Sequence, residues 1–289
     1  MPVSARDLMD FPIPEGRGVA SARDAMLYAL SVGYGREPLD AEHLRRTQEN
    51  GLVPTPTLAN ILAHPGPWMK DAGVDWQRLV HSEHRLTLHR PVPFDTPLVS
   101  RSRMVSVVDR GPGKGMFATF ERTIAVLAED DRPDAALVAT ILQTNACRGD
   151  GGCGSAGTPL APLPPVPERA PDALLSLAVA GDAALLYRLN GDRNPLHSDP
   201  AYALQAGFLR PILHGLCSFG LAGYAIGRLM GAPGLADVSA IAARFTGVVY
   251  PGDTLEVAVW QAGNELHFRV RVPARDVTVL DHGTARLAR

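Results

Sequence analysis

The stretch Pro93-Phe94-Asp95-Thr96-Pro97-Leu98 recurs in the second half of the chain as Pro251-Gly252-Asp253-Thr254-Leu255. Each copy follows a short run in which apolar and polar residues alternate, at residues 85–89 and 243–246. Each copy also precedes longer runs that are rich in Val and Thr, as β-strands are. A pattern that returns in the same order along the chain is typical of a duplicated structural unit. The sequence therefore predicts two similar halves built from antiparallel strands.

The strand-like runs can be placed in both halves. They cover residues 98–108, 115–127 and 136–144 in the first half, and 255–260, 265–272 and 276–280 in the second. Gly-rich segments at 109–113 and 262–264 separate neighbouring runs and predict hairpin turns. Residues 216–230 instead carry apolar side chains at helical spacing, with almost no charge before Arg228. A helix that is apolar nearly all round is buried, so we predict an α+β fold in which each sheet wraps a central helix.

One segment separates the halves. Residues 148–171 are dense in Gly and Pro, which favour neither helix nor central strand. We therefore predict a first repeat at 1–147, a linker at 148–171 and a second repeat at 172–289.

Composition excludes several classes of protein. The chain has 289 residues, of which 46% are hydrophobic, and it carries 28 Lys plus Arg against 30 Asp plus Glu. This balance disfavours nucleic-acid binding as the main role. Three cysteines are too few for a disulfide framework and fit a reducing compartment. Charged residues near the start and the lack of a run of about 20 apolar residues predict a cytoplasmic protein that does not enter a membrane.

The densest group of reactive side chains lies on a loop of the second half, Tyr187-Arg188-Leu189-Asn190-Gly191-Asp192-Arg193-Asn194-Pro195-Leu196-His197. Asp192 and His197 on one tight loop can hold and activate a water molecule, since histidine titrates near neutral pH, while Asn194 orients it. The alternative is that Asp and Asn simply form an Asx turn and a helix cap. The corresponding first-half loop, residues 30–40, has Asp40 opposite His197. Only the second copy of the loop therefore carries both the acid and the imidazole. This difference between the copies favours one catalytic half and one half that holds substrate.

A second group, Pro211-Ile212-Leu213-His214-Gly215-Leu216-Cys217, leads into the buried helix. The N–H of Gly215 at the helix N-terminus can stabilise an oxygen that gains negative charge. Alternatively, Gly215 only permits close packing. Cys217 beside His214 is compatible with a nucleophile, but a thiol in an apolar helix is more often structural. No metal-binding spacing of Cys and His occurs, so we expect no metal site.

These two motifs together closely resemble the R-specific enoyl-CoA hydratase 2 family of MaoC-like lyases, which includes the hydratase domain of peroxisomal multifunctional enzyme type 2. The resemblance implies a double hot-dog fold with one catalytic half. It also implies reversible hydration of a trans-2-enoyl-CoA to a (3R)-3-hydroxyacyl-CoA, with acyl-CoA as the partner molecule and no cofactor, and it is compatible with a homodimer.

The same resemblance assigns roles to individual residues. It makes Asp192 and His197 the catalytic pair, Asn194 the water-orienting residue and Gly215 the oxyanion donor. It also implies a further set that contacts the acyl-CoA: His81, Arg110, Arg193 and Phe245. Pro65-Gly66-Pro67 interrupts the first-half helix region, which predicts an open channel for medium or long acyl chains. Two alternatives stay open at this point: a hot-dog acyl-CoA thioesterase and a non-catalytic acyl-CoA binding subunit.

Overall fold

A computed structural model describes residues 3–127, 136–231, 236–263 and 265–288. Within them, helices α1 to α7 cover Ala5–Met9, Ala22–Ser31, Ala41–Thr47, Trp68–Asp71, Ala183–Tyr187, Pro200–Gln205 and Gly215–Met230. Strands β1 to β11 cover Gly16–Val19, Leu79–Leu88, Pro97–Asp109, Met116–Val126, Leu137–Cys147, Ala156–Gly157, Ala173–Ala178, Val238–Phe245, Thr254–Ala262, Glu265–Val272 and Val277–Leu287. Short 3₁₀ helices cover Pro56–Ile61, Trp76–Arg78, Arg188–Asn190, Pro195–His197 and Pro273–Arg275.

The strands form the same antiparallel order twice. The first copy runs β1-β3-β4-β5-β2, with the short β6 also paired to β3, and the second runs β7-β9-β10-β11-β8. Each predicted strand run overlaps one of these strands. The run predicted at 276–280 is too short, because β11 continues to Leu287 through a polar stretch that pairs with β8. Residue Asn264 of the predicted second turn lies outside the described residues.

The chain divides into two compact units. The first contains Met1–Val19, Leu62–Arg90 and Thr96–Pro162. Its core lies between strands β3 to β5 and helices α1 and α4, and the ring of Trp68 stands edge-on to that of Phe120 at 5.3 Å. No described helix in this unit exceeds five residues. The first-half helix region is interrupted after Ile61, as the Pro65-Gly66-Pro67 sequence predicts.

The second unit contains Ala20–Ile61, Pro91–Asp95 and Leu163–Arg289. Its centre is α7, a helix of 16 residues with ten of them buried, which contacts β7, β8 and β9. This confirms the predicted buried helix. The end of α2 packs directly on α7, since a Cβ added at Gly220 would come within 2.5 Å of the Val32 side chain.

That contact explains why the compact units interleave along the chain. Residues 20–61 precede the linker, yet they belong to the compact unit that contains α7. The predicted boundaries 1–147, 148–171 and 172–289 refer to the two sequence repeats and their linker, not to the compact units. They stay a prediction. Within 148–171 the regular structure is the two-residue strand β6, in keeping with the Gly and Pro content. None of the described helices is long and apolar enough to cross a membrane.

Candidate active site

The loop that joins α5 to α6 has a shape fixed by local hydrogen bonds. Gly191 ends the first 3₁₀ turn with a φ of +115°, in the left-handed region that glycine adopts without strain. The backbone N–H of Asn194 then donates to Oδ1 of Asp192 at 3.1 Å. The side-chain oxygen of Asn194 in turn accepts from the N–H of Leu196 at 3.0 Å, which caps the turn containing His197. The structure therefore contains the turn that was the alternative to a catalytic role for Asn194.

The imidazole of His197 is buried and held in one tautomer. Its Nδ1 lies 2.9 Å from the carbonyl oxygen of Ile212. Because a carbonyl only accepts, Nδ1 carries the proton and Nε2 of the neutral ring is left with its lone pair. Burial lowers the pKa of His197, while the Ile212 hydrogen bond and the charge of Asp192 act in the opposite direction. The ring is thus neutral near pH 7, as a general base must be.

A second imidazole, that of His214, packs face to face against His197. The ring centroids are 3.7 Å apart and the planes differ by 26°. Nε2 of His214 lies 3.1 Å from the main-chain carbonyl oxygen of Asp192. Burial, together with the neighbouring His197, lowers the pKa of His214 to about 4. Sequence reasoning considered His214 only beside Cys217 and missed this contact, although its position directly before Gly215 in the same motif pointed to the site.

The structure brings Asp192, His197 and His214 together. One ligand-type atom of each lies within 4.8 Å of those of the other two, with Asp192 exposed and both imidazoles buried. These distances alone are compatible with a metal ion. However, imidazole lone pairs lie in the ring planes, and two nearly parallel stacked rings do not direct them to one point about 2.1 Å from each nitrogen. The arrangement suits a water molecule shared by an acid and a base better than a metal centre.

Gly215 and Phe245 meet although they lie on different elements. Gly215 is the first residue of α7 and Phe245 the last residue of β8. A Cβ at position 215 would lie 3.1 Å from the Phe245 ring, so the missing side chain lets the ring approach the main chain. Helix geometry leaves the first N–H groups of α7 without acceptors inside the helix. An N–H donor and an apolar surface therefore lie side by side.

The thiol of Cys217 lies in the surroundings of a structural cysteine. It is fully buried, it lies 3.4 Å from the carbonyl oxygen of Ser31, and burial raises its pKa well above the ordinary value. A thiolate nucleophile needs the opposite shift. The preference for a buried structural thiol over a Cys/His nucleophile fits these observations.

Two residues expected to contact the CoA portion, His81 and Arg110, lie far from this cluster in the chain. His81 is half-buried on β2, with its Nε2 2.8 Å from the side-chain nitrogen of Gln143. Arg110 is exposed after β3, with its guanidinium 5.5 Å from the centre of the Phe117 ring. Both belong to the first compact unit, whereas Arg193 is exposed on the loop next to Asp192 in the second. Their contacts with substrate stay predictions.

The first-half counterpart of His197 serves a different purpose. Asp40 caps helix α3, where its carboxylate accepts from the N–H groups of Glu42 and His43. It also pairs with Arg228 of α7. This copy of the loop therefore stabilises the fold.

Solved structures establish the class of fold. The chain superimposes on a MaoC-like dehydratase from Phytophthora capsici with a TM-score of 0.82, at 24% identity and with 98% of both chains covered. It also matches a Mycobacterium tuberculosis protein described as a double hot-dog fold, with a TM-score of 0.58 at 20% identity over 95% of this chain and 93% of that one. The protein is a double hot-dog protein with an acid–imidazole cluster in its second unit, as the sequence predicted.

Sequence comparison identifies the family. Residues 163–282 match the MaoC like domain, and residues 20–129 match the MFE-2 hydratase 2 N-terminal domain. The chain is 34% identical to enoyl-CoA hydratase ChsH3 of M. tuberculosis over 98% of both chains. It is 37% identical to 3-hydroxyacyl-thioester dehydratase Y of the same organism over 90% of both. It is also 30% identical to the peroxisomal enoyl-CoA hydratase 2 of Arabidopsis thaliana, over 94% of this chain and 92% of that one. The chain belongs to the MaoC-like enoyl-CoA hydratase 2 family, which confirms the resemblance.

Proposed function

We propose that the protein catalyses the reversible hydration of trans-2-enoyl-CoA to (3R)-3-hydroxyacyl-CoA in fatty acyl-CoA metabolism. The observation that carries the proposal is the close approach of Asp192 and His197, whose ligand-type atoms lie within 4.8 Å of each other beside the N-terminus of α7. Relatives named enoyl-CoA hydratase and 3-hydroxyacyl-thioester dehydratase support this substrate class.

In the forward direction the pair holds one water molecule. The free Nε2 of His197 and the carboxylate of Asp192 accept its hydrogens, and the water oxygen forms the new bond to C3. The C2–C3 π electrons move to the thioester oxygen, and the N–H of Gly215 stabilises the resulting enolate. Proton return to C2 by the same pair completes the syn addition, so that one water molecule is added in total.

Asn194 contributes through its side-chain NH₂ group in this proposal. Its Oδ1 is engaged by the Leu196 N–H, so we assign water orientation to its NH₂ group. The reaction involves no net oxidation or reduction, and an enolate formed next to a thioester can be stabilised by an N–H donor alone. We therefore propose a reaction without cofactor or metal.

The family resemblance assigns the acyl-CoA contacts of this proposal residue by residue. Phe245, which packs on Gly215, lines the acyl portion next to the thioester. His81 and Arg110 contact the CoA portion, and Arg193 contacts the substrate. The interruption between Ile61 and Trp68 supports an open channel for medium or long acyl chains.

Two properties of the protein in the cell belong to the same proposal. The three cysteines form no disulfide, which supports a reducing compartment such as the cytoplasm. Several relatives are named peroxisomal, so fractionation of tagged protein is the test. A homodimer without nucleic acid or membrane partners is proposed for the assembly, with sedimentation velocity as its measurement.

The deciding experiment replaces the two proposed catalytic groups. D192N and H197Q should each lose at least about 100-fold in kcat for enoyl-CoA hydration, the usual contribution of general acid–base catalysis. D199N is the matched control, because Asp199 lies on the same segment but caps α6, a role that Asn also fills. Loss of enoyl absorbance reports hydration, and a thiol reagent reports release of free CoA. Near-normal hydration in both variants, or CoA release without hydration, contradicts the proposal.

A further inference from the structure

One side chain connects the two parts of the proposed catalytic machinery. The main chain of His214 leads directly into the N–H of Gly215, while its ring stacks on His197 at 3.7 Å. Its Nε2 also lies 3.1 Å from the carbonyl oxygen of Asp192. The groups that activate water and the group that stabilises the enolate are therefore joined through a single residue.

The hydrogen bond fixes the state of the His214 ring. Since the Asp192 carbonyl only accepts, Nε2 must be the protonated nitrogen. Nδ1 is buried and has no hydrogen-bond partner among the described residues. A proton placed there would be buried without an acceptor, which is costly. The titratable and charged groups that act on the ring are His197, Asp192 and Arg188, and the Tyr187 ring lies 4.9 Å away. The ring thus stays neutral at the pH of catalysis.

We infer that His214 is a positioning residue: its ring orients His197, its N–H holds the Asp192 loop, and its backbone sets where Gly215 lies relative to both. This inference rests on the proposed hydratase function. Its physical basis is that small displacements of reacting groups cost large factors in rate. It differs from a catalytic role, because His214 neither gives nor takes a proton during turnover.

Two substitutions separate the two contacts. In H214Q the side-chain amide can still donate to the Asp192 carbonyl, but the ring stack is lost. In H214F the ring remains and the donor is lost. Each variant should lower kcat roughly 2- to 10-fold with KM unchanged, since a single hydrogen bond or ring contact is of that size. H214A loses both contacts and should lower kcat roughly 10- to 100-fold.

His43 provides the matched control. It is also a fully buried histidine between aromatic rings, with centroids 5.8 Å from Tyr34 and 5.5 Å from Tyr224. H43F should weaken the fold, measured by urea unfolding, and leave kcat unchanged. If H43F lowers kcat as much as H214F does, the effect on rate is a general consequence of disturbing the fold and the inference fails.

The pH profile distinguishes positioning from proton transfer. For a positioning residue the ratio of variant to wild-type kcat is constant between pH 6 and 9. A loss confined to one limb of the profile, a change in KM alone, or kcat within 2-fold of wild type in all three folded variants each overturns the inference. Failure of the hydratase proposal looks different, because D192N and H197Q would then retain activity whatever the His214 variants do.

Discussion

Acidification should destabilise the protein partly through His214. An unperturbed histidine has a pKa of about 6.5, and burial lowers that of His214 to about 4. The unfolded chain therefore binds more protons between these values, so the free energy of unfolding falls as the pH drops through this window and is unaffected above it. At about 1.4 kcal/mol per pKa unit, His214 alone accounts for a loss of about 2 kcal/mol by pH 5 and about 3 kcal/mol by pH 4.

The assay is urea unfolding followed by circular dichroism at several pH values from 7 to 4, on wild type and H214F. Other histidines whose pKa values burial lowers, including His43 and His84, contribute to both chains alike. The difference between the two curves therefore isolates His214. The wild type should lose about 3 kcal/mol more than H214F by pH 4. Parallel curves for the two chains would refute the reasoning, because His214 would then be charged at no cost in the folded state.

Three further predictions concern packing and substrate. G220A should destabilise the fold by about 1–2 kcal/mol, because overpacking against Val32 at 2.5 Å costs more than the roughly 1 kcal/mol gained in helix propensity. G223A is the control and should be close to neutral, because the nearest neighbour of its added Cβ is a methyl group at 3.2 Å. Equal unfolding midpoints for the two variants would contradict the role of Val32. G215A should lower kcat/KM on the order of 10-fold with little change in stability, because its Cβ displaces the Phe245 ring; unchanged kinetics would remove the close contact from the mechanism. Across enoyl-CoAs from C4 to C16, turnover should extend to medium and long chains, and activity confined to C4 would disprove the open channel.

Much of the fold was predictable because local sequence patterns specify its strands and its long helix. Alternation of apolar and polar residues identifies strands, since successive side chains face opposite sides of a sheet. The repeated Pro-x-Asp-Thr turn identified the duplication, and the absence of charge along residues 216–230 identified α7 as buried. The strand order β1-β3-β4-β5-β2 recurs as β7-β9-β10-β11-β8, as the sequence repeats. The strand and helix patterns depend on neighbours within a few positions of the chain, and the duplication appears when the two halves are compared.

The candidate site was only partly predictable. Asp192 and His197 could be chosen because they share one short loop, and Gly215 because it begins a buried helix. For Asn194 the sequence left a choice between capping and chemistry, and the hydrogen bond to Leu196 decides that its Oδ1 caps the turn. Nothing in the local sequence indicated which nitrogen of His197 is protonated, since that depends on the distant carbonyl of Ile212.

The sequence by itself determined the strands, the duplication, the family and the loop that bears the acid and the imidazole. Tertiary structure alone decided that residues 20–61 pack with the second unit, where α2 meets α7 across Gly220. It also decided that His214 stacks on His197, 17 positions away in the chain. Such contacts arise from how separate elements bury their apolar surface against each other, and that packing has no signature in the order of neighbouring residues.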